Sequence, residues 1–330
     1  MKVFVTGATG YVGQNLIPRL QQNGYEISCL LRSPENHVDR LLFNDCHIVK
    51  GDITDRDSLR GILDKADLII HLAIVTPLTN AQNDESVYQA VNVHGTNNLF
   101  DECRSSKPKR ILCFSSTAAI GRPVVDFIDE KTPLDPVNAY GRSKKDADNL
   151  ISLYVKNYQL PVITLCFPHI YGPGEVHDLL KIIKMIKKGI LPQVGFGPNF
   201  LPMLYVSDAM DSILLAINNG IIGEKYIIAD DDPHDLRMIR KQVLSLLGIQ
   251  RKFYPFIPKY IGIFGAHLLE LLERVTGIKT PVKAENIKSI VAARRLSINK
   301  AKKELGFTPH VSFEEGIRHT ILWYKENHLI

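Results

Sequence analysis

The sequence is poor in everything that would mark a specialised class. It has one tryptophan in 330 residues, five methionines, five cysteines and a net charge of only +5. The cysteines, Cys29, Cys46, Cys103, Cys113 and Cys166, are odd in number and form no C-x-x-C pair, so neither a disulfide framework nor a thiolate metal site is expected. They read as small buried hydrophobes in a reducing compartment. Eleven histidines show no H-x-x-x-H spacing and no carboxylate cluster, so no metal is expected. The longest apolar stretch, Tyr260 to Leu272, is interrupted by His267 and Glu270 and is too short for a membrane span. The N-terminus lacks the long apolar segment and small-residue cleavage site of a secretory signal, so the expected location is cytoplasmic.

What is present is a globular composition. Hydrophobic residues make up 45% and charged residues 23%, with 13 Phe and 12 Tyr to fill a core. Disorder and fibrous repeats are excluded, and the length suits one large domain or two. The mild charge gives no sign of nucleic-acid binding, but it is uneven. Residues 1–180 hold 18 Lys and Arg against 21 Asp and Glu, whereas residues 181–330 hold 22 against 14. The basic half either meets an anionic ligand or carries solvated helix faces, as Lys181, Lys184 and Lys188 at helical spacing do.

Lys2 to Val5 is an apolar run closed by a glycine-rich turn, followed by a helical pattern over Tyr11–Asn23 and a second apolar run over Ile27–Leu31. Pro18 fits this first helix poorly. Further strands are expected at Cys46–Val49, Leu68–Leu72, Arg110–Phe114 and Val162–Phe167, with helices around 56–65, 85–105 and 138–157. Repeated βα units with continuously apolar strands imply an α/β fold, a doubly wound parallel sheet covered by helices on both faces. After Pro168 glycines and prolines break the chain around one basic helix, Asp178–Lys188. A helix at Val206–Asn219 and a strand at Lys225–Ala229 then return to the first unit. The expected division is a dinucleotide-binding part, 1–168 with 204–230, and a smaller, mostly helical C-terminal substrate lobe, 169–203 with 231–330.

The turn Thr6-Gly7-Ala8-Thr9-Gly10-Tyr11-Val12-Gly13 lies between the first strand and helix, where a phosphate-binding turn must sit. Glycines there let the backbone approach a pyrophosphate closely. No carboxylate ends the second strand, where one would hold ribose hydroxyls and repel a 2′-phosphate. Arg32 stands there instead, which favours NADP(H) over NAD(H). Asp52, after the third strand, either accepts from the adenine amino group or caps the next element. Tyr140 and Lys144 are four residues apart, on one helix face. A nearby ammonium stabilises a phenolate and fits tyrosine for proton transfer.

On these residues, and on Gly51-Asp52, His71-Leu72-Ala73, Val91 to Thr96, Ser115-Ser116-Thr117, Ile170 to Gly174, Tyr205 to Asp208 and Lys300 to Phe307, the chain resembles the extended short-chain dehydrogenase/reductase superfamily. Within it, the likeness is to the NAD-dependent epimerase/dehydratase group. The resemblance implies a Rossmann fold and hydride exchange at a carbinol or carbonyl carbon, with Tyr140 as general acid/base and Lys144 on the nicotinamide ribose. Thr117, with Ser116 as the fallback, would hydrogen-bond the substrate oxygen, and His169 would face the substrate. The cofactor would lie on Gly7, Thr9, Gly10, Tyr11, Val12, Gly13 and Arg32, on Asp52 and Ile53 at adenine, and on Leu72, Ala73 and Ile74. Asn92, Ser115, Tyr140, Lys144, Phe167 and Ile170 would complete its site. The substrate is expected to be a small molecule and the assembly a homodimer. Arg294-Arg295 are expected to be solvated.

Further absences narrow the activity. Sugar 4,6-dehydratases carry an Asp-Glu pair after the catalytic hydroxyl, whereas this chain has Ala118-Ala119. Phe200-Leu201-Pro202-Met203-Leu204 lacks the arginine with which many nucleotide-sugar enzymes grip a diphosphate, and Cys166 replaces another expected arginine. These features resemble the dihydroflavonol reductase-like and 3β-hydroxysteroid dehydrogenase-like members. The alternatives are a nucleotide-sugar 4-epimerase that retains its NAD, and a non-catalytic dinucleotide sensor. The presence of Thr117, Tyr140 and Lys144 together disfavours the sensor.

Overall fold

The computed structural model describes residues 1–36, 43–77, 84–121, 123, 125, 127–231, 234–250, 254–276 and 295–330. Seven parallel strands form the central sheet: β1 (Lys2–Thr6), β2 (Glu26–Leu31), β3 (Cys46–Lys50), β4 (Leu68–His71), β5 (Arg110–Ser116), β6 (Val162–Phe167) and, far along the chain, Lys225–Ile227. The order across the sheet is β3-β2-β1-β4-β5-β6, with the Lys225–Ile227 strand beyond β6. Strand order reverses between β1 and β4, which opens a crevice at their carboxyl ends.

Alternation along the strands sorts side chains to two cores. Val3, Val5, Leu68, Ile70, Leu112, Phe114, Ile163 and Leu165 face one layer. Phe4, Ile69, Ile111, Cys113 and Val162 face the other. Helix α1 (Tyr11–Gln22) buries Leu16, Ile17 and Leu20 on the first side and carries Pro18 within its body. On the opposite side Leu99, Phe100 and Cys103, from the helix Thr96–Ser106, meet Ile151 and Tyr154 from the helix Ala139–Tyr158.

Two expected helices differ. The segment 56–65 makes only one 3₁₀ turn, Asp57–Leu59, before Gly61 turns left-handed at φ +71°. Asp55 and Ser58 bond the local backbone there and compete with helix formation. The segment 85–105 is broken into α2 (Glu85–Tyr88), a π-helical stretch (Gln89–Gly95) and α3 (Thr96–Ser106). Beyond α3 come α4 (Ala139–Tyr158), β7 (His169–Tyr171), α5 (Asp178–Lys188), β8 (Gln193–Val194), β9 (Phe200–Leu201), β10 (Met203–Tyr205) and α6 (Val206–Asn219). The Lys225–Ile227 strand is β11, followed by β12 (His234–Asp235), α7 (Leu236–Leu247), β13 (Phe256–Ile257), α8 (Lys259–Thr276) and α9 (Phe313–Glu326).

Short strand pairs β7–β10, β9–β12 and β8–β13 tie the later segments together. Helix α6 packs on α1, and α7 on α5 and α9. No helix among the described residues is long and apolar enough to cross a membrane.

Candidate active site

Gly7 adopts φ +72°, and a Cβ there would lie 2.6 Å from the Ala73 nitrogen. The Gly10 N–H donates to the Gly7 carbonyl at 3.1 Å. A Cβ on Gly13 would fall 2.5 Å from the same carbonyl oxygen, so α1 sits directly on the turn. The helix starts at Tyr11 with Gly10 as N-cap, no capping side chain and no acidic residue in its first turn. Its N–H groups and positive end thus meet the turn without a neutralising side chain. This cradle fits the pyrophosphate of a dinucleotide. The Thr9 carbonyl accepts from Gln14 Nε2 at 2.6 Å, and Val12 is half-buried. The Tyr11 ring lies under Gly172 and Gly174, and its hydroxyl is buried with no hydrogen-bond partner among the described residues.

The remaining predicted cofactor residues follow the strand ends. Arg32 is exposed just after β2. Asp52, after β3, uses Oδ1 to accept from both the N–H and the hydroxyl of Thr54, each at 2.8 Å, which is the turn-capping alternative. Ile53 is buried beneath Gly95. Leu72, Ala73 and Ile74 leave β4, with the Ala73 N–H donating to Thr6 Oγ1 at 3.2 Å. Asn92 lies in the π-helical stretch. Its Oδ1 accepts from the Val75 N–H at 2.8 Å, and its Nδ2 donates to the Val75 carbonyl and to Ser143 Oγ, both at 3.0 Å. This amide therefore clamps the loop after β4 to α4.

Asn138 caps α4 by accepting from the Gly141 N–H at 2.7 Å, which places Tyr140 in the first helical turn and Lys144 one turn later. Gly141 allows the close approach needed here, because a Cβ would lie 2.5 Å from the Ala118 carbonyl oxygen. Tyr140 is thereby brought to the end of β5. The Ser116 hydroxyl, at the end of β5, favours the phenolate, but burial outweighs this and pushes the Tyr140 pKa up to about 12. Of the two predicted hydroxyls, Ser116 Oγ accepts from the Ala118 N–H at 3.2 Å. Thr117 is buried at the next position. Lys144 is buried too, and its Nζ donates to the Phe114 carbonyl at 2.6 Å. Burial lowers its pKa, opposed by the negative charge of Asp148.

Ser115 turns away from this pair, donating to Asp148 Oδ2 at 2.8 Å. Phe167 is buried with its ring 5.0 Å from that of Phe114, and Ile170 pairs with Leu204. His169 opens β7. Its Nδ1 is 3.8 Å from the Asp178 carboxylate, and its Nε2 is buried with no hydrogen-bond partner among the described residues. Met203 and Leu204, whose apolar character suggested an apolar site, are fully buried in the core, so Phe200, Leu201 and Pro202 are the half-exposed part of that segment. Arg295, expected to be solvated, is exposed, and its guanidinium also lies over the Phe200 ring at 5.1 Å and the Phe127 ring at 6.0 Å. Arg294 is outside the described residues. Sequence reasoning missed Asp148 and Lys225, which meet at 2.6 Å behind Lys144. Only the four-residue spacing from Lys144 to Asp148 hinted at either.

Comparison with known proteins agrees with this geometry. The model of the NAD dependent epimerase/dehydratase family matches residues 3–229. A 4-hydroxy-2-methyl-3-oxo-4-farnesyl-3,4-dihydroquinoline-1-oxide ketoreductase from Stigmatella aurantiaca is 27% identical, over 96% of this chain and 95% of its own. The decarboxylating sterol-4-alpha-carboxylate 3-dehydrogenase of Saccharomyces cerevisiae is also 27% identical, over 98% of both chains. The crystal structure of gox2253 superposes with a TM-score of 0.85 at 26% identity, covering 99% of each chain. With its parallel sheet, glycine turn and strand-end residues, the chain belongs to the NAD dependent epimerase/dehydratase family, enzymes of the extended short-chain dehydrogenase/reductase superfamily that work with a nicotinamide dinucleotide.

Proposed function

We propose that this enzyme is an NADP(H)-dependent oxidoreductase of ketones and secondary alcohols on largely apolar molecules, with Tyr140 moving the proton on the substrate oxygen. The observation that carries this reading is the Tyr140 phenol at the carboxyl edge of the sheet, one helical turn from the buried Lys144. A bound nicotinamide supplies or accepts the hydride. At neutral pH the phenol is protonated, so in reduction it gives its proton to the carbonyl oxygen as the carbon becomes a carbinol. In oxidation the phenolate form removes the hydroxyl proton. Ser116 and Thr117 orient the substrate oxygen, and His169 borders the substrate from β7. The glycine turn holds the pyrophosphate, Arg32 takes the 2′-phosphate, and Lys144 meets the nicotinamide ribose.

Ala118-Ala119 argues for simple hydride transfer, because elimination of water needs an additional acid and base at that place. The two relatives described above are named for a ketone on a farnesylated ring and for a sterol, which supports an apolar substrate. One observation favours the other reading, a nucleotide-sugar 4-epimerase. Arg295 places a cation against Phe200, in the segment whose own sequence has none. The two readings part on cofactor exchange, since an epimerase regenerates its cofactor each turnover and a reductase must release it. Purified protein is examined for bound NAD, titrated with NAD(H) and NADP(H), then offered apolar ketones and UDP-sugars. NADPH-dependent ketone reduction supports the proposal; UDP-sugar turnover without added cofactor overturns it.

A further inference from the structure

Behind the Tyr140–Lys144 pair lies a second set of charges. Asp148, one turn beyond Lys144 on α4, is only 8% exposed. Its Oδ2 accepts from Ser115 Oγ on β5 at 2.8 Å and from Lys225 Nζ on β11 at 2.6 Å. Its Oδ1 is buried with no hydrogen-bond partner among the described residues. A carboxylate in so dry a place is costly to keep unless it is paired, and one paired only through one oxygen is an unusual structural element. Its neighbours on the adjoining strands are thiols. Burial pushes Cys113 up to about 12 and Cys166 up to about 11, so both are neutral near pH 7.

We propose that Asp148 is a positioning residue for the reaction, its carboxylate holding the charge on the buried Lys144 ammonium, with Lys225 reaching across the sheet as the counter-ion that holds Asp148. The proposal rests on the reading of Tyr140 and Lys144 as the reacting pair. Lys144 has a carbonyl partner in Phe114 but is deeply buried, and burial alone favours the neutral amine. Asp148 opposes that burial, while Lys225 acts weakly against the Lys144 charge. The groups that face this cluster are Tyr140, Lys144 and Ser152 on α4, His71 on β4, Cys113 and Ser115 on β5, Cys166 on β6, and Lys225 on β11. Glu130 stands beside Lys225, with its carboxylate accepting from the Ile227 N–H at 2.9 Å.

The test reads Lys144 directly, without a substrate. Protein labelled with ¹³C at the lysine ε-carbon is titrated by NMR, and the Lys144 signal is assigned by its loss in Lys144→Met. Asp148→Asn is expected to move the Lys144 titration down by about one pH unit, whereas Asp148→Glu leaves it near the wild-type position. The alkaline limb of turnover shifts with the same sign. Should Asp148→Asn fail to fold, the double variant Asp148→Asn/Lys225→Met also removes the Lys225 charge that Asp148 pairs, and is expected to show a smaller fall. A folded Asp148→Asn or double variant with Lys144 titrating as in the wild type overturns the proposal, as does an Asp148→Glu shift equal to that of Asp148→Asn. Undiminished turnover by Lys144→Met would instead overturn the reading of the pair, and leave the titration result standing.

Discussion

Thr6 and His71, 65 residues apart, are joined by a 2.8 Å hydrogen bond between Oγ1 and Nδ1 beneath the cofactor cradle. The Thr96 hydroxyl donates to the Asn92 carbonyl at 2.8 Å, so it accepts from His71 Nε2 at 3.0 Å. His71 Nδ1 then accepts from Thr6, whose oxygen in turn accepts from the Ala73 N–H at 3.2 Å. This assigns a neutral imidazole with its proton on Nε2, locking β1, β4 and α3 together.

Burial, and then the Lys144 charge, push the His71 pKa down to about 3. An unfolded histidine takes a proton below about 6.5, whereas the folded one resists until about 3. The contribution is therefore complete above pH 6.5 and lost as pH falls toward 3. Folding stability is expected to be about 2 kcal/mol lower at pH 5 than at pH 7 from this residue alone. Urea unfolding of the wild type and His71→Asn at both pH values checks this; equal pH dependence in the two proteins refutes the assignment.

Gly13→Ala is expected to separate α1 from the glycine turn, because its Cβ would meet the Gly7 carbonyl at 2.5 Å and the Ala8 backbone at 2.6 Å. Dinucleotide affinity falls by at least about tenfold, with a lowered Tm, as backbone groups shift out of phosphate range. Calorimetric titration with the preferred cofactor measures it. Unchanged affinity would mean that the phosphate lies elsewhere.

Much of the frame was legible in the sequence because it follows from apolar spacing. β6, α5 and α6 occupy the residues that their patterns indicated. The segment 56–65 misled because its apolar residues fit a helix, while Asp55, Ser58 and Gly61 settle the backbone by local bonding that periodicity does not register. The Tyr140–Lys144 pair is a four-residue spacing and therefore visible. β5 runs through Ser116 before the chain turns at Thr117, two residues beyond the strand expected over Arg110–Phe114, so apolar spacing did not specify how the two hydroxyls sit at its end. Lys225 was invisible because 77 residues separate it from Asp148 and only the sheet order joins them.

Ser116→Ala removes the hydroxyl that favours the Tyr140 phenolate, so the phenol is expected to titrate still higher. Oxidation needs the phenolate, and at pH 8–9 its rate should drop about fivefold, corresponding to roughly 1 kcal/mol of lost phenolate stabilisation. Reduction uses the protonated phenol and is less affected by the shift. Rates in both directions across pH 6–10 check this; equal losses at every pH would show that Ser116 acts on the substrate alone.

Tyr140→Phe is expected to cut turnover by about 10² to 10⁴-fold, the range of a lost general acid. Cofactor affinity should stay near the wild-type value, because the glycine turn and the strand ends are untouched. Turnover and NADPH fluorescence titration on one preparation test both halves; preserved turnover removes Tyr140 from its role.

Arg32 is exposed at the end of β2, beside a strand terminus that carries no carboxylate. A 2′-phosphate bound there gains a charge-assisted contact that a plain ribose hydroxyl does not, and charged hydrogen bonds of this kind contribute about 1.5–3 kcal/mol. Arg32→Ala is therefore expected to weaken NADPH by about tenfold to a hundredfold while leaving NADH nearly unchanged. The NADPH loss should shrink as salt is raised, since an exposed guanidinium is screened. Parallel titrations with the two cofactors at low and high ionic strength measure this difference. Equal losses for both would show that Arg32 does not read the 2′-phosphate.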